Sequence, residues 1–165
     1  MPTRAGPGRT ALYCSPACRV RAHRARRALP AELVTGARWV RADGKRPITI
    51  TGAPASSTNP ATWSTYHEVL ASSAGDGYGV MLGSGLACWD LDHCLDGDEL
   101  APWAREVLES IDSPLWIERS MSGTGLHIFV AAAEEPGRRS AGVEYYARRR
   151  FIRFTGDKYG PRGGS

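Results

Sequence analysis

The sequence has 165 residues, of which 42% are hydrophobic and five are tryptophan, and its formal net charge is +4. This length suits one domain of ordinary size, and the hydrophobic fraction is sufficient for a folded core. No apolar run is long enough to cross a bilayer, the N-terminal residues lack the apolar stretch of a secretory signal, and the four cysteines form no disulfide-dense pattern. We therefore expect a soluble, cytoplasmic protein with no membrane partner.

Positive charge is concentrated in two segments. Residues 1–30 contain seven arginines and no acidic residue, so the remaining residues sum to about −3. A second arginine cluster lies between residues 138 and 153. Such clusters attract polyanions, most commonly nucleic acid, although solvated arginine faces are also common in proteins encoded by high-GC genes.

Residues 1–30 are predicted to form a basic arm that is separate from the main domain. The segment Tyr13-Cys14-Ser15-Pro16-Ala17-Cys18, followed by arginines, resembles the second half of a small treble-clef zinc finger. A closed zinc site needs four ligands, but no cysteine or histidine precedes Cys14, and His23 would supply only a third. Cys14 and Cys18 are therefore candidate ligands of an incomplete Zn²⁺ site, the alternative being a basic helical or disordered arm.

The first half of the main domain is predicted to contain a strand pair, a helix and a hairpin. A helix is expected to start at Asn59-Pro60, because asparagine is a good cap and Trp63, Tyr66 and Val69 follow at helical spacing. The strands are predicted at residues 37–41 and 46–50, around the turn Asp43-Gly44, and at 79–82 and 86–91, joined by the turn 83–85.

In the second half, Asp98 is predicted to cap a helix with one apolar stripe. Strand pairs are expected at residues 114–119 with 126–131 and at residues 142–146 with 151–155. Helices interspersed among mostly paired strands predict an α+β domain, with helices packed on a mainly antiparallel sheet. We assign this domain to residues 31–156 and a flexible, Gly/Pro-rich tail to residues 157–165.

Asp90 and Asp92 follow an apolar run that is predicted to be a strand. Side chains at i and i+2 of a strand point the same way, so both carboxylates would lie on one face while Leu91 faces the core. Neighbouring carboxylates repel each other unless a positive group lies between them. A hard cation such as Mg²⁺ or Mn²⁺ would satisfy both, although a strand end followed by a turn cap is the simpler alternative.

The segment from Ser120 to His127 joins two predicted strands through a turn rich in glycine and hydroxyl groups. Glycines allow close approach of the backbone to a ligand, and hydroxyl groups add hydrogen-bond donors, so the turn suits a phosphate. His127 would project from the next strand and could donate to a phosphate oxygen, or could be an ordinary half-buried histidine. Glu144 is an isolated acid near many arginines, and is either an ion-pair partner or a third metal ligand.

Taken together and in order, these motifs resemble the archaeo-eukaryotic primase superfamily, and more narrowly the primase-polymerase domains of phages, plasmids and other mobile elements. The upstream segments Lys45-Arg46-Pro47 and Pro60-Ala61-Thr62-Trp63 also match the usual order of that group. The resemblance covers about residues 38–156 and rests on Asp90-Leu91-Asp92, on Ser-Met-Ser-Gly-Thr-Gly-Leu-His ending at His127, and on Val143-Glu144 followed by Arg150-Phe151-Ile152-Arg153-Phe154-Thr155-Gly156.

The resemblance implies a core derived from the RNA-recognition fold and Mg²⁺- or Mn²⁺-dependent nucleotidyl transfer on a single-stranded DNA template. Asp90 and Asp92 match the metal-binding pair, Glu144 matches a third acidic position where many relatives have aspartate, and His127 matches the residue that touches the incoming nucleoside triphosphate. The expected nucleotide-binding set is completed by Ser122, Gly123, Gly125, Lys45 and Arg150. A replicative helicase on a separate chain is an optional further partner.

Two other functions stay open from the sequence. The chain could be a non-catalytic module that binds single-stranded nucleic acid, as a decayed or truncated relative would. It could also be a metal-dependent nuclease, which would use the same carboxylates without nucleoside triphosphates. Retention of both aspartates, His127 and the glycine turn favours the primase or polymerase.

Overall fold

The structure is a computed structural model that describes residues 28–160 of the chain. Within these residues the chain forms short helices and many strands. The elements are α1 (Ala31–Val34), β1 (Ala37–Asp43), β2 (Arg46–Ile48), a 3₁₀ turn (Pro60–Thr62), β3 (Ser64–Thr65), α2 (Tyr66–Ala71), β4 (Gly77–Met81), β5 (Leu86–Leu91), β6 (Leu95–Asp96), β7 (Glu99–Leu100), α3 (Pro102–Ser110), β8 (Trp116–Arg119), β9 (Leu126–Ala131), β10 (Arg138–Ser140), β11 (Val143–Tyr146) and β12 (Phe151–Phe154).

The strands form two five-stranded sheets and one small hairpin. The first sheet has the order β12-β4-β1-β2, with β3 also paired to β1, and the second has the order β10-β11-β5-β9-β8. β6 and β7 pair with each other. Every one of these strand pairs is antiparallel, so the predicted α+β class with mainly antiparallel sheets is confirmed.

Two hydrophobic cores hold the layers together. The first core lies between the sheets, where Phe154 of the first sheet contacts Phe129 and Trp116 of the second, with ring centroids 5.7 and 6.0 Å apart. The second core lies on the other face of the second sheet, under α3, and includes Leu91 and Ala104. Because its two faces pack against different cores, β9 is buried along nearly its whole length.

The predicted hairpin of residues 79–82 and 86–91 is wrong. The two strands exist as β4 and β5, but they belong to different sheets and are linked by an isolated bridge between Gly83 and Leu86. Both edges of β4 are occupied by β1 and β12, and both edges of β5 by β9 and β11. Residues 83–85 all have positive φ, and this turn carries the chain from one sheet to the other.

The predicted pairing of residues 142–146 with 151–155 is also wrong. β11 pairs with β5 in the second sheet, whereas β12 pairs with β4 in the first. The two connections between the sheets run side by side, since Leu82 N–H donates to Arg150 O at 2.8 Å and Arg149 N–H donates to Leu82 O at 3.2 Å. The outer neighbour of β11 is β10, which is exposed throughout and lacks the apolar alternation that would predict a strand.

The single helix predicted after Asn59 is divided in two. Asn59 caps a 3₁₀ turn, accepting the backbone N–H two residues later, and the chain then becomes extended. Trp63 lies in this break, where its indole N–H donates to a backbone carbonyl of the preceding loop at 2.7 Å. Thr65 starts α2 through a capping box with Glu68, and this second cap explains why the helices are separate.

Asp98 does not cap α3, contrary to the prediction. It lies in the turn between β6 and β7 and pairs with Arg119 at 2.5 Å. α3 begins with Pro102, and Ala101 at the cap position makes no side-chain hydrogen bond. Proline at this position removes an N–H that would otherwise lack a partner.

The ends of the chain are described only in part. The candidate zinc ligands Cys14 and Cys18 lie outside the described residues, as does nearly all of the basic arm. The first residues assigned to the tail run beside β8, where Tyr159 N–H donates to Ile117 O at 2.9 Å. Between residues 28 and 160, no helix has the length and apolar character needed to span a membrane.

Gly79 is expected to be required for the close approach of β12 to β4. A Cβ at Gly79 would lie 2.3 Å from Ile152 O and 2.4 Å from the Phe151 ring. Gly79→Ala should therefore lower the free energy of unfolding by about 1–3 kcal/mol, the usual cost of overpacking, as measured by chemical denaturation. Gly160→Ala, where a Cβ meets nothing within 4 Å, is the matched control; equal stability of the two variants would contradict the expectation.

Candidate functional site

Five charged or titratable side chains form a row across the second sheet, one from each strand. The register pairs Arg139 with Glu144, Glu144 with Asp90, Asp90 with His127, and His127 with Glu118. Directly opposed residues of antiparallel strands point to the same face. On four of the five strands, the residue two positions away on this face contributes to the first core or packs against it, namely Trp116, Phe129, Cys88 and Tyr146. The charged row therefore lies at the margin of the space between the sheets.

Asp90 and Asp92 line the same cavity at the end of β5. Leu91, between them, is fully buried in the second core on the opposite face. The pairing of β5 with β11 extends one residue further, since Asp92 N–H donates to Gly142 O at 2.9 Å. The two carboxylates are thus fixed by sheet pairing and by burial of the residue between them.

The cavity beside these carboxylates has a volume of about 810 Å³. One wall is formed by the second sheet, through the two aspartates and His127, and by the serine turn. The opposite wall consists of β12 with the two arginines before it, Lys45 of the β1–β2 turn, and loop residues 55–57. A cavity of this size accommodates a small organic ligand, and its walls carry opposite charges.

The turn from Ser120 to Gly125 contributes hydroxyl groups to the cavity lining. Ser122 lines the cavity, and its Oγ lies 3.0 Å from both Ser120 Oγ and Thr124 Oγ1. Gly123 has a φ of 77° within the turn. At Gly125 a Cβ would come within 2.7 Å of Leu91 O. Both glycines thus shape the turn, which positions Ser122 for contact with a ligand.

His127 is nearly buried, and its two ring nitrogens face different carboxylates. Nε2 lies 3.8 Å from Asp90 Oδ1, on the cavity side, and Nδ1 lies 3.2 Å from Glu118 Oε1. Glu118 is fully buried and was not a candidate from the motifs. The one sequence signal is its phase: Glu118 follows Trp116 by two residues, so it points to the buried face of β8.

Glu144 is engaged by other side chains in the described part of the chain. Its Oε1 pairs with Arg139 Nε, and its Oε2 accepts from Tyr146 Oη. It is opposite Asp90 in the sheet but does not line the cavity. This is the arginine pairing that the sequence left as one of two alternatives.

Basic side chains face the carboxylates across the cavity. Lys45, Arg149 and Arg150 are exposed and line it, and the Arg150 guanidinium lies 4.4 Å from the centre of the Tyr146 ring. Arg153 also lines the cavity, but its guanidinium is held by Asp76 at 2.9 Å. The exposed cations are therefore placed to meet an anionic ligand.

Burial raises the pKa of Asp90 above the ordinary aspartate value. His127 and Arg150 oppose this shift, and the carboxylates of Asp92 and Glu144 reinforce it. Ionised Asp90 is therefore less favourable in the folded protein than in water, because its charge is partly desolvated and has like charges nearby. A bound cation would remove this penalty.

The donor set fits a hard cation that is shared with a ligand. No group of three or more His, Cys, Asp or Glu side chains among residues 28–160 is arranged to hold a metal ion. Asp90 and Asp92 offer two carboxylates, and Mg²⁺ is commonly held by one or two carboxylates together with water and substrate phosphates. The site therefore suits Mg²⁺ or Mn²⁺ bound together with a phosphate.

Asp90→Asn is expected to raise the melting temperature in metal-free buffer at neutral pH. Because the folded state has the higher pKa at Asp90, it binds the proton more tightly than the unfolded state. Stability is therefore lost as pH rises from the ordinary aspartate pKa, about 4, through the raised value. The gain from the substitution should disappear below that window, as a thermal melt at each pH would show. An equal gain in acid would contradict this cause.

No protein-family model matches the chain, and no curated protein is significantly similar to it. The arrangement of the cavity and its charged walls is therefore what supports a function.

Proposed function

We propose that this chain is a metal-dependent, template-directed nucleotidyltransferase, a DNA primase or polymerase in the replication of a phage or mobile element. The observation that carries the proposal is the convergence on one cavity of the paired aspartates, His127, the serine turn and exposed basic side chains. These groups come from segments that are far apart in the sequence. Their charges and donors complement a nucleoside triphosphate with its cation.

The triphosphate is proposed to lie between the aspartates and the basic wall. Nε2 of His127 and Oγ of Ser122 are positioned to donate to phosphate oxygens. Lys45 and Arg150 would neutralise phosphate charge from the opposite side, and charge-assisted hydrogen bonds of this kind are stronger than neutral ones. Fixed donors at developing negative charge lower the barrier without reorganisation.

Asp90 and Asp92 would hold Mg²⁺ or Mn²⁺. A cation held there would supply Lewis acidity, which would lower the pKa of the attacking 3′-hydroxyl and stabilise the leaving pyrophosphate. The protein need not form a covalent intermediate, because positioning and electrostatics supply most of the rate in phosphoryl transfer. Glu144 is proposed as a further acid of the site, available once its pair with Arg139 opens.

The proposal is tested by extension of primed and unprimed single-stranded DNA with labelled nucleotides, in Mg²⁺ or Mn²⁺. Extension of the primer supports a polymerase, and product from the unprimed template identifies a primase. Asp90→Ala/Asp92→Ala, prepared in the same way, controls for contaminating polymerases. Degradation of DNA without nucleotides would instead indicate a nuclease, and DNA binding with no product would leave a binding module.

A further inference from the structure

Glu118 is surrounded by hydrogen-bond donors although its carboxylate is fully buried. Oε1 accepts from Thr155 N–H at 3.0 Å and lies 3.2 Å from His127 Nδ1. Oε2 accepts from Gly156 N–H at 2.9 Å and from the Trp116 indole N–H at 3.2 Å. Backbone and indole N–H groups can only donate. Three of the four contacts therefore favour the ionised carboxylate, which offers acceptors alone.

We propose that Glu118 is a positioning residue that keeps a proton on His127 Nδ1 and thereby presents Nε2 to the cavity. An ionised Glu118 cannot donate to Nδ1, so this nitrogen must be the donor in their contact. Nε2 is then the ring atom that meets a ligand, beside Asp90. It donates to a phosphate oxygen when it carries the second proton of an imidazolium, in which both ring nitrogens are donors and Nδ1–H stays on Glu118. The inference rests on the proposed function in one respect, namely that this ligand is the triphosphate.

The same carboxylate anchors the cavity wall that faces His127. Gly156 has a φ of 70°, and this left-handed conformation lets two successive N–H groups converge on one anion. Thr155 adds a second tie to β8, because its hydroxyl donates to Arg119 O at 2.7 Å. Thr155 directly follows β12, whose residues 151–153 line the cavity. Glu118 thus fixes both the orientation of the His127 ring and the position of the opposite wall.

The test is NMR of the imidazole nitrogens of the parent chain and of Glu118→Gln. A glutamine places an amide NH₂, which can only donate, among four donors. Of these four partners, His127 is the one that can become an acceptor, because its ring can carry the proton on Nε2 and accept at Nδ1. We expect a protonated Nδ1 in the parent and a bare Nδ1 in the neutral ring of the variant. Glu134→Gln, on an exposed glutamate outside the cavity, should leave the parent pattern unchanged.

Nucleotide extension gives a second readout. Glu118→Gln should lower kcat/KM for the nucleotide about 10–100-fold, by analogy with loss of the outer partner of a metal-ligating histidine, while Glu134→Gln retains activity. A bare Nδ1 in the parent overturns the inference even if Glu118→Gln fails to fold, as does an unchanged His127 spectrum in the folded variant. Should the parent not extend primers, the proposed function fails, and the spectra still decide the role of Glu118.

Discussion

Asp90→Asn and Asp92→Asn should each reduce nucleotide extension by about 10³-fold or more, because loss of several kcal/mol of charge stabilisation at the metal corresponds to such a factor. Both side chains line the cavity and supply carboxylate oxygens for a hard cation there. Asparagine keeps the size and removes the charge, so the fold should persist. The measurement is the initial rate of primer extension at saturating Mg²⁺ or Mn²⁺.

Asp112→Asn is the matched control for these variants. Asp112 is exposed and does not line the cavity, so its substitution should leave the extension rate unchanged. The metal also provides a readout without catalysis, since Mn²⁺ in the presence of a nucleotide should raise the melting temperature of the parent and not that of Asp90→Asn. Full extension activity in either aspartate variant would refute the proposed metal site.

Glu118→Ala should lower the free energy of unfolding by about 3–5 kcal/mol, the cost of removing one partner from a buried ionic group. The substitution leaves a cavity and strips the acceptor from four donors, two of them backbone groups at the end of β12. Each buried donor left without a partner adds to the loss. Chemical denaturation of the parent and the variant would measure the difference.

Glu106→Ala is the control for this loss. Glu106 is exposed on α3, where a change to alanine normally alters stability by about 0.5 kcal/mol or less. A similarly small effect for Glu118→Ala would mean that the carboxylate does not tie β8, β9 and the end of β12 together.

The site could be predicted from the sequence where it depends on local pattern. The spacing of Asp90, Leu91 and Asp92 predicts two carboxylates on one face, and both line the cavity while Leu91 is buried. The roles of Glu118 and of the Arg139–Glu144 pair could not be read in this way. Glu118 meets His127 only through the register of β8 with β9, and Arg139 meets Glu144 through a strand with no apolar signal.

The eight predicted strands all exist, although β3, β6, β7 and β10 were not predicted as strands. Their pairing was predicted only in part, since β1 with β2 and β8 with β9 pair as expected and the other two predicted pairs do not form. Adjacent strands in sequence predict hairpins, and this rule fails for β4 with β5 and for β11 with β12. In both cases the chain crosses from one sheet to the other. Both edges of β4, of β5 and of β11 are occupied by other strands, and β12 pairs with β4. The partner that a strand pairs with is decided by which arrangement buries both faces of the sheet. The residues that cover those faces are distant in the sequence.

Alternation of apolar and polar residues is a local property, and it was enough to establish the α+β class and the placement of Asp90 and Asp92 on one face. The cavity itself depends on long-range packing. It forms because β12 pairs with β4 of the first sheet and not with β11, and this pairing brings the basic wall opposite the aspartates. The buried Glu118 carboxylate then fixes both His127 and the end of β12. These contacts join residues separated by many positions, so their energies depend on the folded arrangement and not on any one segment.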